Sequence, residues 1–214
     1  MNLSYLMQLA DHSGGVLYLM VGLLTAALAV IAERTWALRN LTRHGETLTR
    51  ALSDLSAQDR SGLEWIRETQ ARPLHGALLE TTLALPPSSQ ELLGNRLEEV
   101  ILRQVPLLDR RLWVLDTTVT LAPLLGLIGT IVGMFHAFQV LSEPGAAPNA
   151  VTGGVAEALV ATAAGLLIAV VGLVFFNGLN ERVRLAVHQL ETLKVMLVNR
   201  FSESGPRASA SGAL

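Results

Sequence analysis

Three intervals of the chain carry no acidic or basic side chain: between Asp11 and Glu33, between Asp116 and Glu143, and between Glu157 and Glu181. Each is about 20 to 26 residues long, the length a helix needs to cross the hydrocarbon of a bilayer with some tilt. A helix is the form such a segment must take, because hydrocarbon offers no partner to an exposed backbone N–H or C=O. His12 and His136 are the only interruptions that can carry charge near neutral pH. The rest of the composition agrees, with a mean hydropathy of +0.43 and only 16% charged residues, too apolar for an ordinary soluble domain. The fold class expected is therefore an all-α membrane protein with three transmembrane helices.

Direction follows from lysine and arginine. Residues 34–115 hold eleven of them and residues 181–214 the other five, while the N-terminal segment and the loop after the second span hold none. Basic loops stay on the cytoplasmic side, so the middle segment and the C-terminus are expected there, with the N-terminus and the short loop facing outward. The first apolar stretch has no basic segment before it and runs into Glu33, Arg34 and Trp36 rather than a small-residue cleavage site; it reads as an anchor and not as a removed signal.

The resulting organisation is an outer-face segment at 1–13, spans at 14–33, 116–141 and 154–179, a cytoplasmic helical domain at 34–115, and a periplasmic loop at 142–153. A cytoplasmic C-terminal helix at 180–204 and a disordered tail at 205–214 complete it. Leu3, Leu6 and Ala10 fall at helical spacing before the first span. Within the middle segment, Gly62 and Pro73 suggest breaks, Pro86 and Pro87 stop the chain, and Ser88 or Ser89 can cap a new helix. From there Leu93, Leu97, Ile101, Val105, Leu108, Leu112 and Leu115 form a stripe stepping by three or four. The stripe predicts one continuous helix from Ser89 to Val140, bent at Pro106 and Pro123 and extending far into the cytoplasm. The third span continues in the same way through Val183, Val187, Leu190, Leu193 and Leu197.

Several chemistries lack their residues. Without cysteine there are no disulfides, thiolate ligands or thiol nucleophiles. A net charge of −2 with 5% aromatics offers nucleic acid neither a basic surface nor stacking platforms. No phosphate-binding glycine motif occurs and the five histidines are scattered singly, so no enzyme, cofactor or metal is expected.

Small and polar residues inside the second and third spans stand out instead. Gly126, Gly129 and Gly133 permit close helix approach beside Thr130. In the third span Ala158, Thr162, Gly165, Ala169 and Gly172 share one small-residue face. These faces read equally well as packing surfaces, with each threonine bonded to its own i−4 carbonyl, or as a pore lining. Glu157 follows Gly153 and Gly154 at the opening of the third span, where a helix N-terminus favours a carboxylate; an interfacial glutamate in contact with water fits as well. Asp116 at the inner edge of span two reads as interfacial, His136 as a solvated bystander or a proton shuttle. Trp36 and Trp113, beside Arg34 and Arg111, read as interface anchors.

The run Ala122-Pro123-Leu124-Leu125-Gly126-Leu127-Ile128-Gly129-Thr130-Ile131-Val132-Gly133-Met134 resembles the second-span signature of the MotA/TolQ/ExbB family. The run from Gly154 to Leu167, with Glu157, Thr162 and Gly165, resembles its third-span signature, and Asn177 stands at the matching exit position. The likeness covers residues 15 to 200 in architecture, the middle segment only in length and helical character. It implies a subunit of a proton-driven motor in the bacterial inner membrane, a homopentamer around an ExbD- or TolR-like single-span partner whose membrane aspartate carries the proton. It further implies that Thr130, Thr162 and Glu157 line the ion path, where hydroxyls can donate to an ionised aspartate or bridge it through water. A four-span MotA fits less well. The expected role is ExbB-like, energising a TonB-like protein for outer-membrane transport. A TolQ-like role with a TolA-like protein, and a passive helical scaffold in which the small faces serve packing alone, are the alternatives. Val171 stands where the family often has proline, which implies a straighter third span.

Overall fold

The computed structural model describes residues 15–55, 59–69, 73–85, 90–141 and 148–203. Six helices and no strands occur among the described residues: α1 Val16–Asp54, α2 Arg60–Thr69, α3 Pro73–Ala84, α4 Gln90–Leu108, α5 Leu112–Leu141 and α6 Pro148–Glu203. Three of them, α1, α5 and α6, are long and apolar enough to cross a membrane. The all-helical, three-span expectation therefore holds. The expected outer-face segment at 1–13, the serine caps at 88 and 89, and the tail at 205–214 lie outside the described residues.

The chain divides into two compact units, Met1–Thr35 with Arg111–Leu179, and Trp36–Arg110 with Asn180–Leu214. In the first, Val16 and Met20 of α1 bury against Ala122 of α5 and Ile168 and Ala169 of α6, flanked by Leu23, Leu24, Leu125 and Ala164. α1 opens at Gly15, whose φ of +83° suits glycine and whose carbonyl accepts the first helical bonds, from Tyr18 and Leu19. The unit's other faces stay apolar and uncovered, with Leu124, Leu127, Ile131 and Phe135 of α5 and Leu167, Val170 and Val174 of α6 all exposed. So much uncovered hydrocarbon suits lipid or further protein as its surroundings, not water.

The predicted continuous helix from Ser89 to Val140 is interrupted. α4 ends at Leu108 and α5 begins at Leu112, so the stem that precedes the second candidate span is a separate helix. Neither proline makes the break, since Pro106 and Pro123 both lie inside helices. Arg111 makes it, with φ at 67° in the left-handed region that side chains rarely adopt. Its guanidinium is held by the Glu33 carboxylate at 2.5 Å, and its carbonyl accepts the N–H of Val114 to restart the helix. A stripe of leucines continues across such a break, because periodicity records which face is apolar and not whether the backbone between two turns reverses hand.

Two boundaries shift. The break expected at Gly62 falls earlier, since Asp59 caps α2 by accepting the Gly62 N–H at 2.8 Å and the Ser61 hydroxyl at 2.7 Å. Those two bonds, Ser61 first, hold the Asp59 carboxyl below its ordinary range. At Pro73, where a break is expected, a new helix α3 begins, in a position where the missing N–H costs nothing. α6 begins at Pro148 and takes in half of the loop expected at 142–153.

In the second unit α1 and α6 run parallel. Gln189 donates to the Thr42 carbonyl at 3.2 Å, and Arg200 donates to the carbonyls of Leu52 and, at 2.9 Å, Leu55, capping the end of α1. α3 packs on both α2 and α4, and Arg60 of α2 caps α3 by bonding the carbonyls of Leu83 and Leu85 at 3.2 Å each. Lys194 of α6 pairs with Glu98 of α4. Gly45 lets Gln189 and His75 close on α1: a Cβ there would strike the Gln189 amide and come within 3.1 Å of the His75 ring.

His75 is buried, at 2% exposure. Burial, and second the charge of His44, push its pKa down to about 4. The folded value lies below the ordinary 6.5, so the fold favours neutral His75; that stability is complete above pH 6.5 and declines as pH falls toward 4. The full shift amounts to about 3 kcal/mol. Chemical denaturation of the full chain in detergent, followed between pH 7 and 4, is expected to show this decline in the parent and a flatter profile in His75→Leu.

Candidate functional site

Along the contact between α5 and α6, small residues bring the two backbones together. A Cβ on Gly165 would lie 2.5 Å from the Ala122 carbonyl oxygen and 3.1 Å from the Gly126 Cα. One on Gly126 would lie 3.0 Å from the Thr162 Cα. Further along, Gly129 faces Ala161, Gly133 faces Ala158 and Gly154 faces Ala137, each at 2.8 to 2.9 Å from a built Cβ, while Gly172 faces Val119 at 3.2 Å. The numbers run in opposite senses, so the helices are antiparallel neighbours in van der Waals contact along their backbones, the arrangement small residues permit. Ala158 is buried at 3% and Ala169 at 9%.

Such proximity places two hydroxyls and a carbonyl together. Thr130 donates to the Gly126 carbonyl one turn earlier at 3.1 Å. Thr162 reaches across instead to the same Gly126 carbonyl at 2.9 Å. The two hydroxyls also touch one another. Each hydroxyl has one proton, so two protons serve three contacts. Either both go to Gly126, or one goes to Gly126 and the other to the neighbouring hydroxyl. In both cases the protons are used within the cluster, and the pair's spare capacity is lone pairs. In this arrangement the open lone pairs can accept from a protonated acid, or from a water molecule that in turn donates to a carboxylate.

Glu157 is half-buried and has no hydrogen bond or ion pair among the described residues. Because α6 begins at Pro148, Glu157 sits in the third helical turn and not at the opening of the helix; the helix-end argument for its charge does not apply. It stands five residues, about 7.5 Å of helical rise, before Thr162. His136 lies edge-on to Phe135 with ring centroids 6.1 Å apart. Asp116 is exposed at the start of α5. Trp36 and Trp113 are exposed at 73% and 69%. No group of three or more histidine or acidic side chains that could hold a metal occurs among the described residues.

Sequence reasoning missed the Gly126 carbonyl, the hub of the polar cluster. Its signal was indirect: a glycine one turn before a threonine, opposite a second glycine–threonine pair, leaves a carbonyl unshielded by side chains.

Residues 67–192 match the sequence profile of the MotA/TolQ/ExbB proton channel family. The chain belongs to that family. A putative biopolymer transport protein ExbB-like 3 of Synechocystis sp. is similar along nearly its whole length, 30% identical over 202 residues that cover 91% of this chain and 95% of that protein. A Tol-Pal system protein TolQ of Haemophilus influenzae is 40% identical over 82 residues, 38% of this chain and 36% of the relative. A biopolymer transport protein ExbB of Neisseria gonorrhoeae is 38% identical over 84 residues, 37% of this chain and 38% of the relative. The family member described here is thus a multi-pass membrane protein whose polar cluster sits within two of its candidate spans.

The contact predicts a position-dependent response to a single methyl group. Gly165→Ala must displace backbone, costing about 1–3 kcal/mol, and is expected to lower the melting temperature of the detergent-solubilised chain by several degrees. Gly178→Ala, where a Cβ meets nothing within 4 Å, is expected to leave it unchanged or slightly raised by helix propensity.

Proposed function

We propose that this chain is the pore-forming subunit of a proton-motive-force-driven motor in the bacterial inner membrane, ExbB-like in energising a TonB-like protein for outer-membrane transport. The observation that carries the reading is the shared use of the Gly126 carbonyl by Thr130 and Thr162, a polar cluster within apolar helices that need only close packing to be stable. Several copies, five in the arrangement we favour, would surround an ExbD- or TolR-like single-span partner. The basic segments face the cytoplasm, and the stretch at 142–153 between the second and third spans faces the periplasm.

In this reading the partner's membrane aspartate is received in its protonated form. Its O–H donates to the lone pairs that Thr130 and Thr162 leave open, which spares an ion from hydrocarbon. Release of the proton leaves a carboxylate for which the hydroxyl pair has no donor to spare. The carboxylate is therefore better served by water, and the changed preference drives subunits past the partner. Glu157, half-buried and unpaired among the described residues, passes protons between the aqueous side and this cluster. A TolQ-like role in the Tol-Pal system is the second reading, favoured by the 40% identity to TolQ over the matched segment. Co-purification of a TonB-like or of a TolA-like protein separates the two.

The test is proton flux into vesicles reconstituted with the chain and its single-span partner. Thr162→Val keeps the shape and removes the hydroxyl; the loss of one such bond, about 1.5 kcal/mol, is expected to cut flux about ten-fold with the native mass of the complex unchanged. Thr162→Ser is expected to restore it, and Glu157→Gln to slow flux. Undiminished flux in both Thr162→Val and Glu157→Gln would leave the passive scaffold as the better account.

A further inference from the structure

Among the described residues, Arg39 of α1 and Arg182 of α6 are two cations without an anion. Neither makes an ion pair or hydrogen bond among the described residues, and the Nη1 of Arg182 is buried with no partner. The acids nearest in sequence are already engaged. Glu33 is paired with Arg111 at 2.5 Å, and Glu181, adjacent to Arg182, is turned to Arg184, whose Nε approaches it at 3.1 Å. The two arginines are close in space. The parallel packing of α1 on α6 sets residues in register at an offset of 147 to 148, as Gln189 on Thr42 and Arg200 on Leu52 show. The same offset brings Arg182 level with the turn of α1 that precedes Arg39. Burial, and second the charge of Arg39, both disfavour the cationic form of Arg182. A half-buried guanidinium cannot shed its proton at neutral pH, so two like charges here call for a counter-charge from outside the chain.

Their position along the sequence says which. Arg39 lies six residues after Glu33 and Arg182 one residue after Glu181, the charges that end the first and third apolar intervals. Both thus fall at the depth where a spanning helix leaves the hydrocarbon and meets headgroup phosphates. Trp36, one turn before Arg39 on the same face of α1, is 73% exposed, as suits an indole at a headgroup boundary.

We propose that Arg39 and Arg182 form a phosphate-binding site filled by the headgroup of an anionic phospholipid in the leaflet on the chain's basic side. A guanidinium pair grips phosphate oxygens through several N–H donors at once, and the lipid would bridge α1 and α6 where the sequence supplies no acid to do so. The site is separate from the threonine cluster and independent of how that cluster works.

Native mass spectrometry of the full chain in detergent, titrated with phosphatidylglycerol, tests this. Arg39→Gln and Arg182→Gln are each expected to weaken retention of the lipid about five-fold, while Arg50→Gln, an exposed arginine further along α1, leaves it as in the parent. Arg39 is exposed, so its variant decides the matter should the Arg182 variant fold poorly. In a second arm, millimolar inorganic phosphate is expected not to displace the lipid; full displacement would keep the phosphate site and assign it to a soluble anion. Retention equal to the parent in both variants would overturn the proposal. So would loss of subunits from the oligomer with lipid retention unchanged, since the arginines would then be pairing with acids of a neighbouring copy.

Discussion

The backbone contact between Gly165 and the Ala122–Gly126 turn is the constraint on which the membrane unit depends. With 2.5 Å between a built Cβ and the Ala122 oxygen, no larger residue fits without moving a helix. Apolar side chains gain nothing by leaving lipid for protein, so helices in a bilayer associate through close packing and hydrogen bonds. Here one geometry supplies both. The approach that lets Gly165 sit on α5 also brings the Thr162 hydroxyl within 2.9 Å of a carbonyl on the other helix.

The same geometry decides what the threonines can do. Hydroxyl groups are versatile in water, where either role can be filled by the next molecule. Held against a carbonyl in an apolar setting, the pair has its donors committed and only acceptor capacity in reserve. In the proposed motor such a pair would distinguish a neutral acid from its conjugate base by hydrogen-bond direction, without a charged residue of its own. That economy suits a membrane interior, where a permanent charge would be costly.

Much of this was legible in the sequence, and the limits were physical. Charge-free intervals fix spans because the cost of an ion in hydrocarbon exceeds anything local propensity can offset, and glycine and alanine at helical spacing mark the faces that α5 and α6 press together. The interruption at Arg111 was not legible: a left-handed arginine is set by its ion pair with Glu33, 78 positions away in the chain. The burial of His75 likewise depends on Gly45 and Gln189, from two other helices. Glu157 shows the converse, since a plausible start for α6 at Gly153 and Gly154 was overridden by Pro148, and with it an electrostatic argument. The direction of the threonine bonds needed coordinates, because an i−4 bond and a cross-helix bond look alike in sequence.

The antiparallel register of α5 on α6 is open to direct trial, because the chain has no cysteine of its own. Gly133 and Ala158 face each other with 2.8 Å between a built Cβ and the Ala158 Cβ, whereas Leu159 is 60% exposed on another face of α6. Mild oxidation of intact membranes is predicted to close a disulfide within one chain in the Gly133→Cys, Ala158→Cys double variant and none in the Gly133→Cys, Leu159→Cys double variant. Cross-linking through position 159 but not 158 would mean that α6 presents a different face to α5, and that Thr162 does not share the Gly126 carbonyl with Thr130.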